Sequence, residues 1–97
     1  MPSLSDLRNA YHFQREAKKV RKELKSIHVE AEGRWSKVVI TAEQEVVLIE
    51  IKDGAPAGEL PGDLKDAMNR ALKKAQIVSA EKMQPILGEM GMSGKGQ

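Results

Sequence analysis

Ninety-seven residues with 16 Lys/Arg, 14 Asp/Glu and no Cys make one domain and exclude both a disulfide framework and a thiolate metal site. The net charge is only +2, but it is unevenly spread. Residues 5–27 hold seven Lys/Arg against three Asp/Glu and residues 63–84 hold five against three, whereas residues 28–52 hold three against five. The segments predicted below as helices are therefore basic and the middle of the chain is acidic, an asymmetry that bears on partners more than the total does. No apolar run approaches the roughly 20 residues that cross a bilayer. The opening MPSLSDLRN is too polar for a signal peptide, so a cytoplasmic compartment is expected.

The first element is a helix over Ser5–Ile27. Ala10, Phe13, Ala17, Val20, Leu24 and Ile27 recur at steps of three and four, one stripe at about 100° per residue. Arg8, His12, Arg15, Lys19 and Lys22 recur the same way on the opposite side. One face wants an apolar partner and the other is a row of positive charge. Ser3 or Ser5 suits the N-cap, and Asp6 suits the positive end of the helix dipole. A helix of roughly 35 Å overhangs the small body that a chain this short can build, which points to a partner chain.

After Ile27 the period changes to two. His28–Glu32 alternates apolar and polar residues and is a half-buried strand. Gly33-Arg34 breaks it, and Trp35–Thr41, rich in β-branched residues, is a second strand. Ala42-Glu43-Gln44 is a short turn without Gly or Asn. Glu45–Lys52 is a third strand, and the short connections predict an antiparallel meander.

The third strand is apolar on both faces: Val47, Ile49 and Ile51 on one, Val46 and Leu48 on the other. Val39 and Trp35 extend the second set. Either the edge tucks under the long helix, or Trp35, Val39, Val46 and Leu48 form a subunit interface. The second is the expectation, because contiguous exposed apolar patches mark contacts.

DGAPAGELPG, residues 53–62, carries three Gly and two Pro and is a loop. Asp63 is the expected N-cap of a second amphipathic helix, with Leu64, Ala67, Met68, Ala71, Leu72, Ala75 and Val78 as its apolar stripe. Arg70, Lys73 and Lys74 lie away from that stripe. Pro85 removes a helical hydrogen bond and predicts an end or a kink there. The last stretch, GEMGMSGKGQ, is expected to be disordered. The domain organisation is thus one α+β domain over 1–88, helix–three strands–helix with the helices on one face of an antiparallel sheet, and a Gly-rich tail over 89–97.

Catalytic signatures are missing from the chain. His12 and His28 have no second ligand at metal spacing, and there is no HExxH, GxGxxG, P-loop or nucleophile elbow. A body this size has little room for a substrate pocket. No enzyme activity, no cofactor, no metal and no small-molecule substrate are expected. Aromatics are scarce, with Tyr11, Phe13 and Trp35 alone, which counts against base stacking on an exposed sheet.

Three stretches together resemble one family. They are the basic opening helix running into a strand (QREAKKVRKELKSIHVEAEG), the central VVI and VVLIEIK strands, and LKDAMNRALKKAQIVSAEKM. In the last, Ala67, Asn69, Ala71, Lys74 and the closing Glu81-Lys82-Met83 resemble the YbaB/EbfC nucleoid-associated proteins, and the Gly- and Met-rich tail fits as well. The likeness covers about residues 4–92. It departs from the family's usual pattern at three places. Only Gly33 stands in the first strand turn, Ala42-Glu43-Gln44 replaces Asn-Gly at the next, and the loop before the last helix is shorter and less acidic. These departures bear on turn geometry and suggest a divergent branch.

The resemblance implies an intertwined homodimer that binds duplex DNA with little or relaxed sequence preference, on a bacterial chromosome, without catalysis. The residues supply their own argument, since Lys/Arg along a protruding helix neutralise phosphates and release counterions. The expected DNA-binding set is Arg15, Lys19 and Lys22, then Arg8 and Lys18, then Lys73 and Lys74. Arg21 and Lys25 lie toward the flanks, where a plain solubility role is as much expected as a phosphate contact. Two other classes share these features: an RNA-binding or ribosome-associated factor using the same face, and a protein-interaction module using the long helix.

Overall fold

The computed structural model describes residues 3–89. Its order is helix α1 (Leu4–Ser26), strands β1 (His28–Glu32), β2 (Ser36–Thr41) and β3 (Val46–Ile51), and helix α2 (Leu60–Glu89). The strands form one antiparallel sheet in the order β1-β2-β3. The expected tail lies outside the described residues except for Glu89, which closes α2.

α1 starts at a capping box. Ser3 Oγ accepts the Asp6 N–H and the Asp6 carboxylate accepts the Ser3 N–H, each at 3.2 Å, which satisfies two of the orphan donors of the first turn. Of the predicted stripe, Ala17, Val20 and Leu24 are buried. Val20 and Leu24 form a cluster with Ala42 of the β2–β3 turn and Ile86 of α2, joined by Phe13, Ile27, Val78 and Met83. Ala10 is exposed, as is every residue from 4 to 12: the first turns of α1 overhang the body. The molecule measures 63 × 28 × 20 Å with a radius of gyration of 18.6 Å, against about 12.5 Å for a compact chain of this length.

α2 lies on β1 and β2 through a ridge of small side chains. Ala67, Ala71 and Ala75 are all fully buried against Ala31, Val38 and Ile40, flanked by Leu64, Met68 and Leu72. Alanine at each closely packed turn lets the helix backbone approach the strands, and any larger residue there would overpack the layer. The helix runs longer than predicted at both ends. It begins at Leu60, with Pro61 in the first turn where the missing N–H costs nothing, and it continues through Pro85 to Glu89.

Asp63 is therefore not an N-cap. Its carboxylate accepts the Arg34 N–H at 2.7 Å, the Trp35 N–H at 3.0 Å and the Ser36 hydroxyl at 2.7 Å, tying the β1–β2 turn to the first turn of α2. The β2–β3 turn is tied differently. Gln44 has φ = 70°, a conformation that favours Gly or Asn, and Thr41 Oγ1 holds the turn by accepting the N–H groups of Glu43 and Glu45 at 3.2 Å each.

The sheet edges differ. At β1, Arg70 donates to the Glu32 carbonyl at 2.9 Å and Lys74 to the Glu30 carbonyl at 2.7 Å, so two cations one helical turn apart close that edge. At β3, Val46, Val47, Leu48, Ile49 and Ile51 are each 41–54% exposed. The register shifts between Val39 and Ile40, so that Val39 pairs with Leu48 but Ile40 pairs with Val46, leaving Val47 as the extra residue of a bulge. Directly paired residues share a face. Val46 therefore joins Ile49 and Ile51 on the helix side of the sheet, not Leu48 on the outer side as strict alternation implies. Val39, expected to lie uncovered, is buried within the chain, and Trp35 is half-buried. The uncovered apolar surface of the sheet lies on β3, beyond the reach of α2.

Candidate nucleic-acid interface

Five of the predicted phosphate-binding residues, Arg8, Arg15, Lys18, Lys19 and Lys22, are exposed on α1, on the far side from Val20 and Leu24. The helix holds them there because its apolar stripe is committed to α2. Arg15, Lys18, Lys19 and Lys22, with Glu16, border a shallow hollow of about 360 Å³. Arg15 also lies over the Tyr11 ring, 5.8 Å from its centroid, a cation–π arrangement that steadies both side chains.

Arg21 and Lys25, which lie toward the flanks of the predicted row, share a second hollow of about 290 Å³ with Lys18, Lys22 and Glu43 of the β2–β3 turn. Periodicity along α1 alone does not reveal this, because Glu43 comes from another element. The basic surface thus wraps further round the base of α1 than one helical row.

The two α2 candidates part company. Lys73 is exposed. Lys74 has its ammonium on the Glu30 carbonyl, and that hydrogen bond would have to break before Lys74 could serve a phosphate. The signal that could have separated them is the pairing of Arg70 and Lys74 at i, i+4 over an edge strand.

Other acidic residues lie on the sheet. Glu30, Glu32 and Glu50 are exposed on the sheet, with Lys37 bridging to Glu30 at 3.5 Å. On the helices, Lys82 reaches Glu23 at 4.0 Å, a surface pair of small energetic weight. A cleft of about 520 Å³ between α1, the β2–β3 turn and α2 is lined by Leu24, Ala42, Gln76 and Met83 among others and opens to solvent. Among the described residues there is no group of three His, Cys, Asp or Glu placed to hold a metal ion. No described helix is long and apolar enough to cross a membrane.

The model of the YbaB/EbfC DNA-binding family matches residues 1–90. No curated protein sequence matches the chain. The crystal structure of uncharacterized protein HP0035 from Helicobacter pylori is similar at a TM-score of 0.58 and 15% identity, covering 93% of this chain and 98% of that one. At that identity the likeness is one of fold.

Proposed function

The chain belongs to the YbaB/EbfC DNA-binding family, and from that premise we propose that it binds duplex DNA as a homodimer, through phosphate contacts made by the basic face of α1. The observation that carries this reading is the placement of Arg15, Lys19 and Lys22, exposed on a helix whose opposite side is buried against α2. Each phosphate they neutralise releases condensed counterions, which favours binding irrespective of sequence. Phosphate contacts position without specifying, and relaxed sequence preference follows from a face of Lys and Arg without an Asn/Gln/Arg base-reading cluster. The protein is then a nucleoid-associated architectural factor without catalysis, resident on the chromosome.

A second copy suits the β3 edge. The β1 edge is closed by Arg70 and Lys74, whereas β3 offers an open edge with five exposed apolar residues. A bare apolar edge invites strand pairing, and natural folds cover it. Pairing at β3 in a dimer would bury Leu48 from the outer face and Val46, Ile49 and Ile51 from the other. Leu48→Glu and Ile49→Glu each place a charge in that contact and are expected to raise the dimer dissociation constant at least about tenfold, read by sedimentation equilibrium. A monomer at micromolar concentration in the unsubstituted protein contradicts this part of the reading.

Filter-binding titrations against duplex DNA and structured RNA at several salt concentrations test the partner. The expected result is salt-sensitive binding to unrelated duplexes of equal length with similar affinity. Preference for RNA reassigns the basic face to a ribosome- or RNA-associated role, and no binding to either leaves α1 as a protein-docking helix.

A further inference from the structure

The first turns of α1 expose three large apolar side chains: Leu4 at 76%, Leu7 at 55% and Tyr11 at 63%. At i, i+3 and i+7 they form a stripe of their own, separate from the buried one. At about 100° per residue, Leu7, Tyr11 and Leu4 share a sector of about 100° with Lys18, Lys22, Arg15 and Arg8. The acidic residues of α1, Asp6, Glu16 and Glu23, fall outside that sector by the same geometry. Asp6 is engaged in the capping box, which keeps the overhang helical although residues 4–12 are exposed throughout. An overhang of this length has marginal helical stability without a partner.

The geometry points to duplex DNA as the occupant of this stripe, with Leu4, Leu7 and Tyr11 making an apolar contact in a groove while the neighbouring cations hold the phosphates. The inference rests on the DNA-binding reading and adds a non-ionic component to it. Charge complementarity selects the occupant. Any partner that covers Leu4 and Leu7 also meets Arg8 and Arg15, so two α1 tips laid together would bring like charges into contact. A polyanion with apolar groove walls satisfies both halves of the sector, and apolar side chains at an inserted tip are a recognised way of engaging the minor groove. Arg15 stacked on Tyr11 joins the two halves physically.

The two kinds of contact have different salt signatures. Removing a cation from a phosphate changes the slope of log affinity against log salt, whereas removing an apolar side chain lowers affinity equally at every salt concentration. The test is a fluorescence-anisotropy titration of a labelled 30-base-pair duplex at several salt concentrations, with Leu4→Ala/Leu7→Ala/Tyr11→Ala beside the unsubstituted protein. Alanine preserves the helix, which circular dichroism verifies. The expected result is an affinity loss of about tenfold or more with an unchanged salt slope, recovered by Leu4→Met/Leu7→Met/Tyr11→Phe. Affinity within about twofold of the unsubstituted protein at every salt concentration overturns the inference and leaves the phosphate-binding reading standing. Dissociation of the dimer by the triple alanine variant overturns it too, assigning the stripe to a protein contact. An unsubstituted protein that binds no duplex overturns both readings.

Discussion

A Cβ placed on Gly33 would stand 2.5 Å from Asp63 Oδ2 and 2.7 Å from Oδ1. Gly33 is the one residue type that lets this carboxylate enter the β1–β2 turn, where it accepts from Arg34, Trp35 and Ser36. The turn and the start of α2 are thereby one hydrogen-bonded unit, joining the sheet to the helix that covers it.

Gly33→Ala is expected to destabilise the fold by about 1–3 kcal/mol, the usual range for a forced insertion into a packed site, because the carboxylate must withdraw. Asp63→Ala removes the obstacle. In a double-mutant cycle the cost of Gly33→Ala should fall sharply in the Asp63→Ala background. Denaturant melts of the four proteins measure this; strictly additive changes would show that the two residues do not interact.

The same carboxylate confers a pH dependence. The Ser36 hydroxyl is the largest influence on Asp63, with the Trp35 and Arg34 amides adding to it against a desolvation penalty, and the net effect holds its pKa below 3.8. A group whose folded pKa is depressed contributes stability that is fully present above its unfolded value and is lost as pH falls through its folded value. Melting temperature should therefore be insensitive to Asp63 above about pH 5 and should fall below about pH 4. Asp63→Asn is expected to be less stable at neutral pH and to show a weaker decline in the acid range, as thermal melts followed by circular dichroism would record.

Arg70→Ala and Lys74→Ala should behave as edge-closing residues. Each removes a charge-assisted hydrogen bond to an edge carbonyl and is expected to cost about 1 kcal/mol. Neither should change the salt slope of DNA binding. The pair of measurements, unfolding and salt-dependent titration, separates them from the α1 cations, for which the expected pattern is reversed. An unchanged stability with a shallower slope for Lys74→Ala would return that residue to the interface.

The elements most legible in the sequence are those set by periodicity. The Ala17–Val20–Leu24 stripe of α1, the Ala67–Ala71–Ala75 ridge of α2 and the three-stranded meander all follow from spacing, because burial of one face is what spacing encodes. Three features are not legible. Asp63 reads as a cap, but a carboxylate at a helix start serves a distant turn as readily as its own helix, and only the fold brings residue 63 to residues 34–36. Strict alternation puts Val46 on the face of Leu48 and has no means of foreseeing the bulge at Val47. The hydrogen bond of Lys74 to the Glu30 carbonyl is the third, because that partner is a backbone group absent from any side-chain pattern. On the candidate face of α1 the row of cations is visible in the sequence, whereas the exposed stripe of Leu4, Leu7 and Tyr11 stands out only once burial separates it from the core.

The basic face of α1 is the centre of the DNA-binding proposal, and one titration tests it most directly. Arg15→Ala/Lys19→Ala/Lys22→Ala keeps the helix formers in place, and exposed substitutions of this kind shift stability by no more than about 0.5 kcal/mol each. Its affinity for duplex DNA, followed across a series of salt concentrations, should fall on unrelated sequences alike. The plot of log affinity against log salt should become shallower by about 0.9 for each phosphate no longer neutralised, and by about twice that in a symmetric dimer, where each substitution removes two cations. A triple variant that folds, assembles and binds duplex DNA with the unsubstituted protein's salt slope would contradict the assignment of this face to DNA.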